Sequence, residues 1–292
     1  MISIIITAYK EEKTIGKAIE SIVNNNLKNY EIIVTAPDDE TLNVAKSYQK
    51  KNKRVKLLRD LGKGKPAALN QAVAKAKGEI LVLTDGDIYL DENSLKPLLK
   101  PLERKEIGAV SGNPISLNPK NTLFGYWAYW LTKVASDRRI DSVKNNKQFF
   151  CSGYLFAIRK SLFPHLPEDL LSEDGYISNN IYEKGYLIDY SKESYAYIKY
   201  PTNFSDWIIQ KKRSAGGYNQ IKKLTNKEMR SFKKESIGGL FYFFKYTKNF
   251  KEFLWLIELF LARIYLWFVI YQDINIKKKS HKEIWKRVES TK

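Results

Sequence analysis

Cysteine and histidine are almost absent from this chain. Cys151 is the single cysteine of 292 residues, so no disulfide forms within it and cysteine-rich metal sites are excluded. His165 and His281 are the only histidines, too few for a zinc enzyme and a poor basis for Ser-His or Cys-His hydrolysis. The Gly-x-Gly-x-x-Gly of a dinucleotide fold is missing after the first apolar run, and so is the Gly-rich Lys loop of a P-loop. NAD-type and ATP-type phosphate cradles are thereby set aside. No internal repeat or low-complexity linker appears. The start, Met1-Ile2-Ser3-Ile4-Ile5-Ile6, has no basic n-region or small-residue cleavage site. It reads as a core strand rather than a signal peptide, which makes the cytoplasm the expected compartment.

Positive charge is plentiful and unevenly spread. The net charge is +18; residues 208–292 carry 20 Lys/Arg against 7 Asp/Glu, a net of +13, leaving +5 for the first 207 residues. The basic tail calls for an anionic partner, either nucleic acid or an anionic membrane surface. Acidic clusters in the first part of the chain would repel a phosphate backbone, so a membrane surface is expected and nucleic acid is not.

Residues 1–84 alternate between short apolar runs and helical periodicity. Strands are expected at Ile2–Thr7, Tyr30–Thr35, Val55–Leu58 and Glu79–Thr84, with helices from Ile15 to Val23, Thr41 to Gln49 and Pro66 to Ala76. That order means a parallel sheet with right-handed crossovers. Further on, Leu95–Leu102, Phe124–Ser136 and Gly175–Lys184 read as helices. Ala109–Ser111, Phe149–Ile158, Leu187–Tyr190 and Ala196–Tyr200 read as strands, and the region after Trp207 is helical, basic and aromatic.

Three acidic clusters carry the chemistry: Asp38-Asp39, Asp85-Gly86-Asp87 and Ser172-Glu173-Asp174. Asp-Gly on its own is a turn signal. Here it follows the buried run Ile80–Thr84, so both carboxylates lie at the carboxyl end of a parallel sheet, where open α/β folds bind ligands. Hard oxygen ligands there suit Mg²⁺ or Mn²⁺ and suggest a metal holding a nucleotide diphosphate. An EF-hand is ruled out, because Tyr89 and Lys96 fall at its fifth and twelfth positions. Gly62-Lys63-Gly64-Lys65-Pro66 opens a helix and reads either as a solvated turn or as an anion-attracting loop near a diphosphate. Ser172-Glu173-Asp174 caps a helix or supplies a general base. Gln210-Lys211-Lys212-Arg213 alone reads as a solvated basic helix.

Taken together, Ile4–Glu12, Gly62–Asn70, Asp85-Gly86-Asp87, Ser172-Glu173-Asp174 and Gln210-Lys211-Lys212-Arg213 resemble glycosyltransferase family 2, inverting nucleotide-sugar transferases of GT-A fold. The resemblance implies an α/β fold: a Rossmann-like, mostly parallel central sheet with flanking helices, followed by a C-terminal basic, aromatic helical region. It implies a catalytic domain over 1–207, with a nucleotide-sugar half at 1–90 and an acceptor half at 91–207, and a tail over 208–292. Thr7, Ala8, Tyr9 and Glu11 would line the nucleotide pocket, with Asp38 reading the base. Lys65 would stand near the nucleotide, Asp85 near its ribose or sugar, and Asp87 on Mn²⁺ or Mg²⁺. Asp174, beside Glu173, would deprotonate a lipid or glycan acceptor. Ser152 and Gly153 would lie by the acceptor, and Gln210 and Arg213 by diphosphate or acceptor. Two positions depart from the family pattern. Asp38-Asp39 stands where Asp-Asp-Gly-Ser is usual, so either aspartate fits the base. Ser214 follows Arg213 where polymerising members carry Trp, which argues against processive synthesis. The alternative readings are a sugar-phosphate nucleotidyltransferase, whose Gly-rich loop is missing, and a non-enzymatic basic membrane- or nucleic-acid-binding protein, which leaves the acidic clusters unused.

Phe253–Tyr271 is apolar apart from Glu258, Arg263 and aromatic hydroxyls. At 1.5 Å per residue it spans ~28 Å, just short of a ~30 Å hydrocarbon core, and its two charges cost roughly 2.5–3.5 kcal/mol each at the bilayer centre. With the aromatic block Leu240–Phe244 and with Lys277-Lys278-Lys279 meeting headgroups, peripheral attachment to the inner face of the cell membrane is expected, with anchoring through 253–271 or a soluble helix buried as core as the alternatives.

Overall fold

A computed structural model describes residues 1–225, 242–243, 245–276, 288 and 290–291. Two compact units divide it, the first built from Met1–Ile115 and Arg139–Ile198 and the second from Ser116–Arg138 and the segment from Lys199 onward. The elements run β1 (Ile2–Thr7), α1 (Ile15–Val23), β2 (Tyr30–Ala36), α2 (Asp39–Lys51), β3 (Val55–Arg59), α3 (Lys65–Lys75), β4 (Ile80–Asp85) and β5 (Tyr89–Leu90). They continue as α4 (Leu95–Leu99), β6 (Ile107–Ser116), α5 (Leu123–Lys144), β7 (Leu155–Arg159), α6 (Glu173–Glu183), β8 (Leu187–Ile198), α7 (Phe204–Thr225) and α8 (Phe250–Tyr271).

The first unit is built on one eight-stranded sheet in the order β3-β2-β1-β4-β7-β6-β8-β5. The strands β3, β2, β1 and β4 are parallel, and β7 then pairs antiparallel with both β4 and β6. The continuous apolar runs are explained by the layers they separate. Helices cover both faces of a parallel sheet, so inward and outward side chains are alike buried; every residue of β2 is buried, and Ile4, Ile5 and Ile6 are fully so. Leu69, Leu81, Leu83, Phe156, Ile158, Ile177 and Ile181 complete this core.

In-register pairing of β1 with β4 sets Thr7 opposite Asp85. That register brings the ends of β1 and β4 level at one edge of the sheet. At the opposite, amino edge sits a buried acid, Glu31, which accepts hydrogen bonds from Ser3 Oγ and the Lys77 amide, each at 2.6 Å, and pairs with Lys56. These partners tie strands together and serve a structural end.

Beyond Asp87 the structure departs from the periodicity. The segment Phe149–Ile158 is a strand only from Leu155, because the amides before it are taken by side chains. Cys151 N–H donates to Ser178 Oγ (2.9 Å), Ser152 N–H to Ser111 Oγ (2.9 Å) and Gly153 N–H to Asp174 Oδ2 (3.2 Å). The two short strands expected at 187–190 and 196–200 are one strand, β8, and the helix from Phe124 runs on to Lys144.

The second unit has an aromatic core: Tyr126, Trp127, Trp130 and Trp207 with Leu256, Leu259, Ala262, Leu266 and Ile270 of α8. Trp127 meets Trp207 edge-on at 5.2 Å between ring centroids, and its indole N–H donates to the Trp255 carbonyl at 2.7 Å. Asn249 caps α8 by accepting from Glu252 N–H at 2.9 Å. Of the aromatic block Leu240–Phe244, only Tyr242 and Phe243 lie within the described residues, and Lys277-Lys278-Lys279 lies outside them.

Candidate active site

The site lies in the first unit, at the carboxyl ends of β1, β2 and β4. Asp85, the last residue of β4, accepts from Thr7 Oγ1 at 2.6 Å and is held by Lys65 Nζ at 2.8 Å. Lys65 opens α3, where Pro66 occupies the first turn and Gly64 adopts φ +101°, a conformation that a side chain would strain. The same ammonium reaches Glu173, the first residue of α6, at 2.7 Å. One cation therefore joins three elements that are far apart in sequence. Burial opposes the charge on Lys65, but Asp85 and Glu173 outweigh that and hold its pKa well above the ordinary lysine value.

Asp174 follows directly. Its Oδ1 accepts from Ser172 Oγ (2.6 Å) and Gly175 N–H (2.8 Å), while Oδ2 accepts from Gly153 N–H. Burial and the adjacent Glu173 charge push its pKa above the ordinary aspartate value, against the opposing pull of Ser172, Gly175 and Lys65. A carboxylate whose charged form is disfavoured is the stronger proton acceptor. Cys151, two residues before Gly153, has its thiol pushed up to about 12 by burial and is no nucleophile.

The loop after β1 packs on this constellation. A Cβ at position 86 would meet Ala8 Cβ at 2.9 Å and the Glu11 side chain at 3.3 Å, so only glycine lets the Asp85–Asp87 turn pass so close. Glu11 is buried and accepts from Thr14 Oγ1 at 2.6 Å. Tyr9 is 45% exposed, under the Lys10 ammonium. Asp38 caps α2 through Thr41 N–H and also accepts from Lys10 N–H, each at 2.9 Å; burial would raise its pKa, but these hydrogen bonds lower it. Asp39 is exposed and pairs with Arg59. Of the two aspartates, Asp38 is thus the one linked to the β1 loop.

Among the described residues no three metal-ligating side chains converge. Asp87, half-buried two residues after Asp85, places a further carboxylate at this edge. One carboxylate is a fitting donor set for Mg²⁺ or Mn²⁺, which complete their shells with water and substrate phosphate rather than with a protein cage.

Thr7, Ala8, Glu11, Lys65, Asp85, Glu173, Asp174 and Gly153 are thus linked through hydrogen bonds, ion pairs or close packing. Ser152 is buried, with its amide anchored on Ser111. Gln210 and Arg213 belong to α7 in the second unit, where the Gln210 Oε1 atom is buried without a hydrogen-bond partner and neighbouring Lys212 pairs with Asp273. Three supporting residues escaped the sequence reading. Asp60 is buried and accepts from Gly62 N–H at 2.8 Å and Thr35 Oγ1 at 3.3 Å, fixing the loop before Lys65. Its signal was an acid two residues before a glycine. Ser111 and Ser178 anchor the 151–153 backbone and leave no such signal.

The family model for glycosyl transferase family 2 matches residues 3–166. Glycosyltransferase GlyA of Streptococcus pneumoniae serotype 4 is 23% identical over 67% of this chain and 30% of its own length. Glycosyltransferase GlyG of the same organism is 24% identical over 56% of this chain and 58% of its own length. The matches therefore span less than two thirds of either relative's length. Among solved structures, the mannosyltransferase PcManGT from Pyrobaculum calidifontis, in complex with GDP-Man and Mn²⁺, shares the fold. Its TM-score is 0.60 at 19% identity, covering 82% of this chain and 69% of that one. The matched span holds the β1 loop, Lys65, Asp85-Gly86-Asp87 and Gly153, and this chain belongs to glycosyl transferase family 2.

Proposed function

We propose that the protein is an inverting glycosyltransferase that moves a sugar from a nucleotide-diphosphate donor to a lipid or glycan acceptor at the cytoplasmic membrane surface. The observation that carries this reading is the convergence of Asp85, Lys65, Glu173 and Asp174 at the carboxyl edge of the sheet. PcManGT, with the same fold, binds GDP-Man and Mn²⁺, which supports a nucleotide-sugar donor and a divalent cation here.

Each residue has a distinct task. The Thr7–Glu11 loop and Asp38 form the nucleotide pocket. Asp85, already oriented by Thr7 and Lys65, accepts from the donor's ribose or sugar hydroxyls. Lys65 supplies a permanent positive charge beside the donor. Asp87 would hold Mn²⁺ or Mg²⁺, which when bound stabilises negative charge on the departing diphosphate. Asp174 takes the proton of the acceptor hydroxyl as its oxygen attacks the anomeric carbon. An alcohol's pKa lies far above 7, so without a carboxylate within ~3 Å that attack is slow. A single displacement inverts the anomeric centre.

The test is a panel of nucleotide sugars scored for release of nucleoside diphosphate with Mn²⁺. Release from one donor that Asp87→Asn abolishes is the expected result; the absence of release from every donor overturns the proposal.

A further inference from the structure

Helix α8 presents two apolar faces, and its own fold uses one of them. Leu256, Leu259, Ala262, Leu266 and Ile270 are at most 7% exposed and pack on the aromatic core of the second unit. On the opposite face Leu254, Ile257, Leu261, Ile264, Tyr265 and Phe268 are between 38% and 60% exposed. Their spacing of three and four residues makes a continuous stripe along the helix. A soluble surface normally scatters such side chains singly.

The chemistry around the stripe identifies its occupant. Lys248 and Lys251 are exposed at its amino end, and Lys251 lies over the Trp255 ring at 4.7 Å. Lys277-Lys278-Lys279 follows its carboxyl end in the sequence. Of the two acids on α8, Glu252 is buried against Lys120 at 3.1 Å, and Glu258 remains exposed. An apolar stripe with exposed lysines at its amino end, and three more lysines next along the sequence, complements an anionic lipid surface. A second copy of the chain fits poorly. The stripe, from Leu254 to Phe268, is ~21 Å long and ~10 Å wide, on the order of 210 Å², against roughly 800 Å² per partner in a stable interface.

We infer that the outer face of α8 docks the protein on an anionic bilayer with the helix lying in the plane of the interface, not crossing it. A helix whose other face is packed into a globular core is not surrounded by lipid. The inference specifies the attachment in the functional reading above, on which it rests only for the identity of the surface.

The experiment is flotation of the full chain with vesicles of phosphatidylcholine alone or with about 30 mol% phosphatidylglycerol. The wild type is expected to float with the anionic vesicles and to be released from membranes by alkaline carbonate. The double variant Leu261→Glu/Phe268→Glu is expected to lose at least ~10-fold in bound fraction with its thermal midpoint unchanged. Failure to float, equal flotation of the variant, or resistance to carbonate extraction overturns the inference. So does a dimer that the double variant splits without any vesicle binding. Diphosphate release is assayed in parallel without vesicles, so loss of the transferase reading and loss of the docking reading give separate results.

Discussion

At the scale of single residues, the site rests on a division of labour among acids that look alike in sequence. As the base proposed above, Asp174 would act only when ionised, and its pKa is raised from the ordinary 3.8 by burial and Glu173. The rate should therefore fall as pH drops through that raised value, on an acid limb above the ordinary aspartate range. Asp174→Asn should lower kcat by about 10²–10⁴ and remove that limb, while leaving the donor KM near its original value. Lys65→Met would leave Asp85 and Glu173 without their shared cation. Because the Lys65 side chain is 31% exposed, the loss of stability should be about 1–2 kcal/mol, below the 3–5 of a fully buried pair. Thermal melts check that value, and a roughly tenfold rise in donor KM should accompany it. Much of this was legible from residue types alone: the acids, Lys65 and the glycines stand out in the chain. Which acid pairs with which cation was not, since Lys65 meets Glu173 only through the packing of α3 and α6.

At the scale of elements, spacing decides which segments become regular. The first four strands and three helices follow their apolar periodicity closely, because a sheet buried on both faces leaves no competing pattern. The segment before Leu155 looks equally strand-like, yet its amides go to Ser111, Ser178 and Asp174. Side-chain acceptors that arrive from distant elements cannot be read from a local window. Gly86 shows the same tertiary constraint. Gly86→Ala would press a methyl group on Ala8 and Glu11, costing about 1–3 kcal/mol. It should also depress donor binding, measurable by nucleotide titration, because the β1 loop would shift. Helix α8 offers a matched pair: Leu259→Ala should cost 2–5 kcal/mol, whereas Leu261→Ala should stay within about 0.5. Calorimetry of the two variants checks which face is core.

At the scale of the whole molecule, charge and chemistry are segregated along the chain. The acidic site occupies a unit built mainly from the first 198 residues, and most of the +18 charge lies after residue 207. The GT-A-like sheet was legible because it is periodic, and helix α8 because its apolar run is long; that α8 has one buried and one exposed apolar face was not. The grouping of residues 116–138 with the C-terminal segment was not, since the Trp127–Trp207 contact is visible only in three dimensions. The central claim is nucleotide-sugar transfer at the carboxyl edge of the first sheet. The most direct measurement is nucleoside diphosphate release from a panel of nucleotide sugars with Mn²⁺, comparing wild type with Asp87→Asn and adding a chelator. The account predicts release from one donor that falls at least ~100-fold in the variant and stops with the chelator. Release that persists at the wild-type rate in Asp87→Asn, or none from any donor, would contradict it.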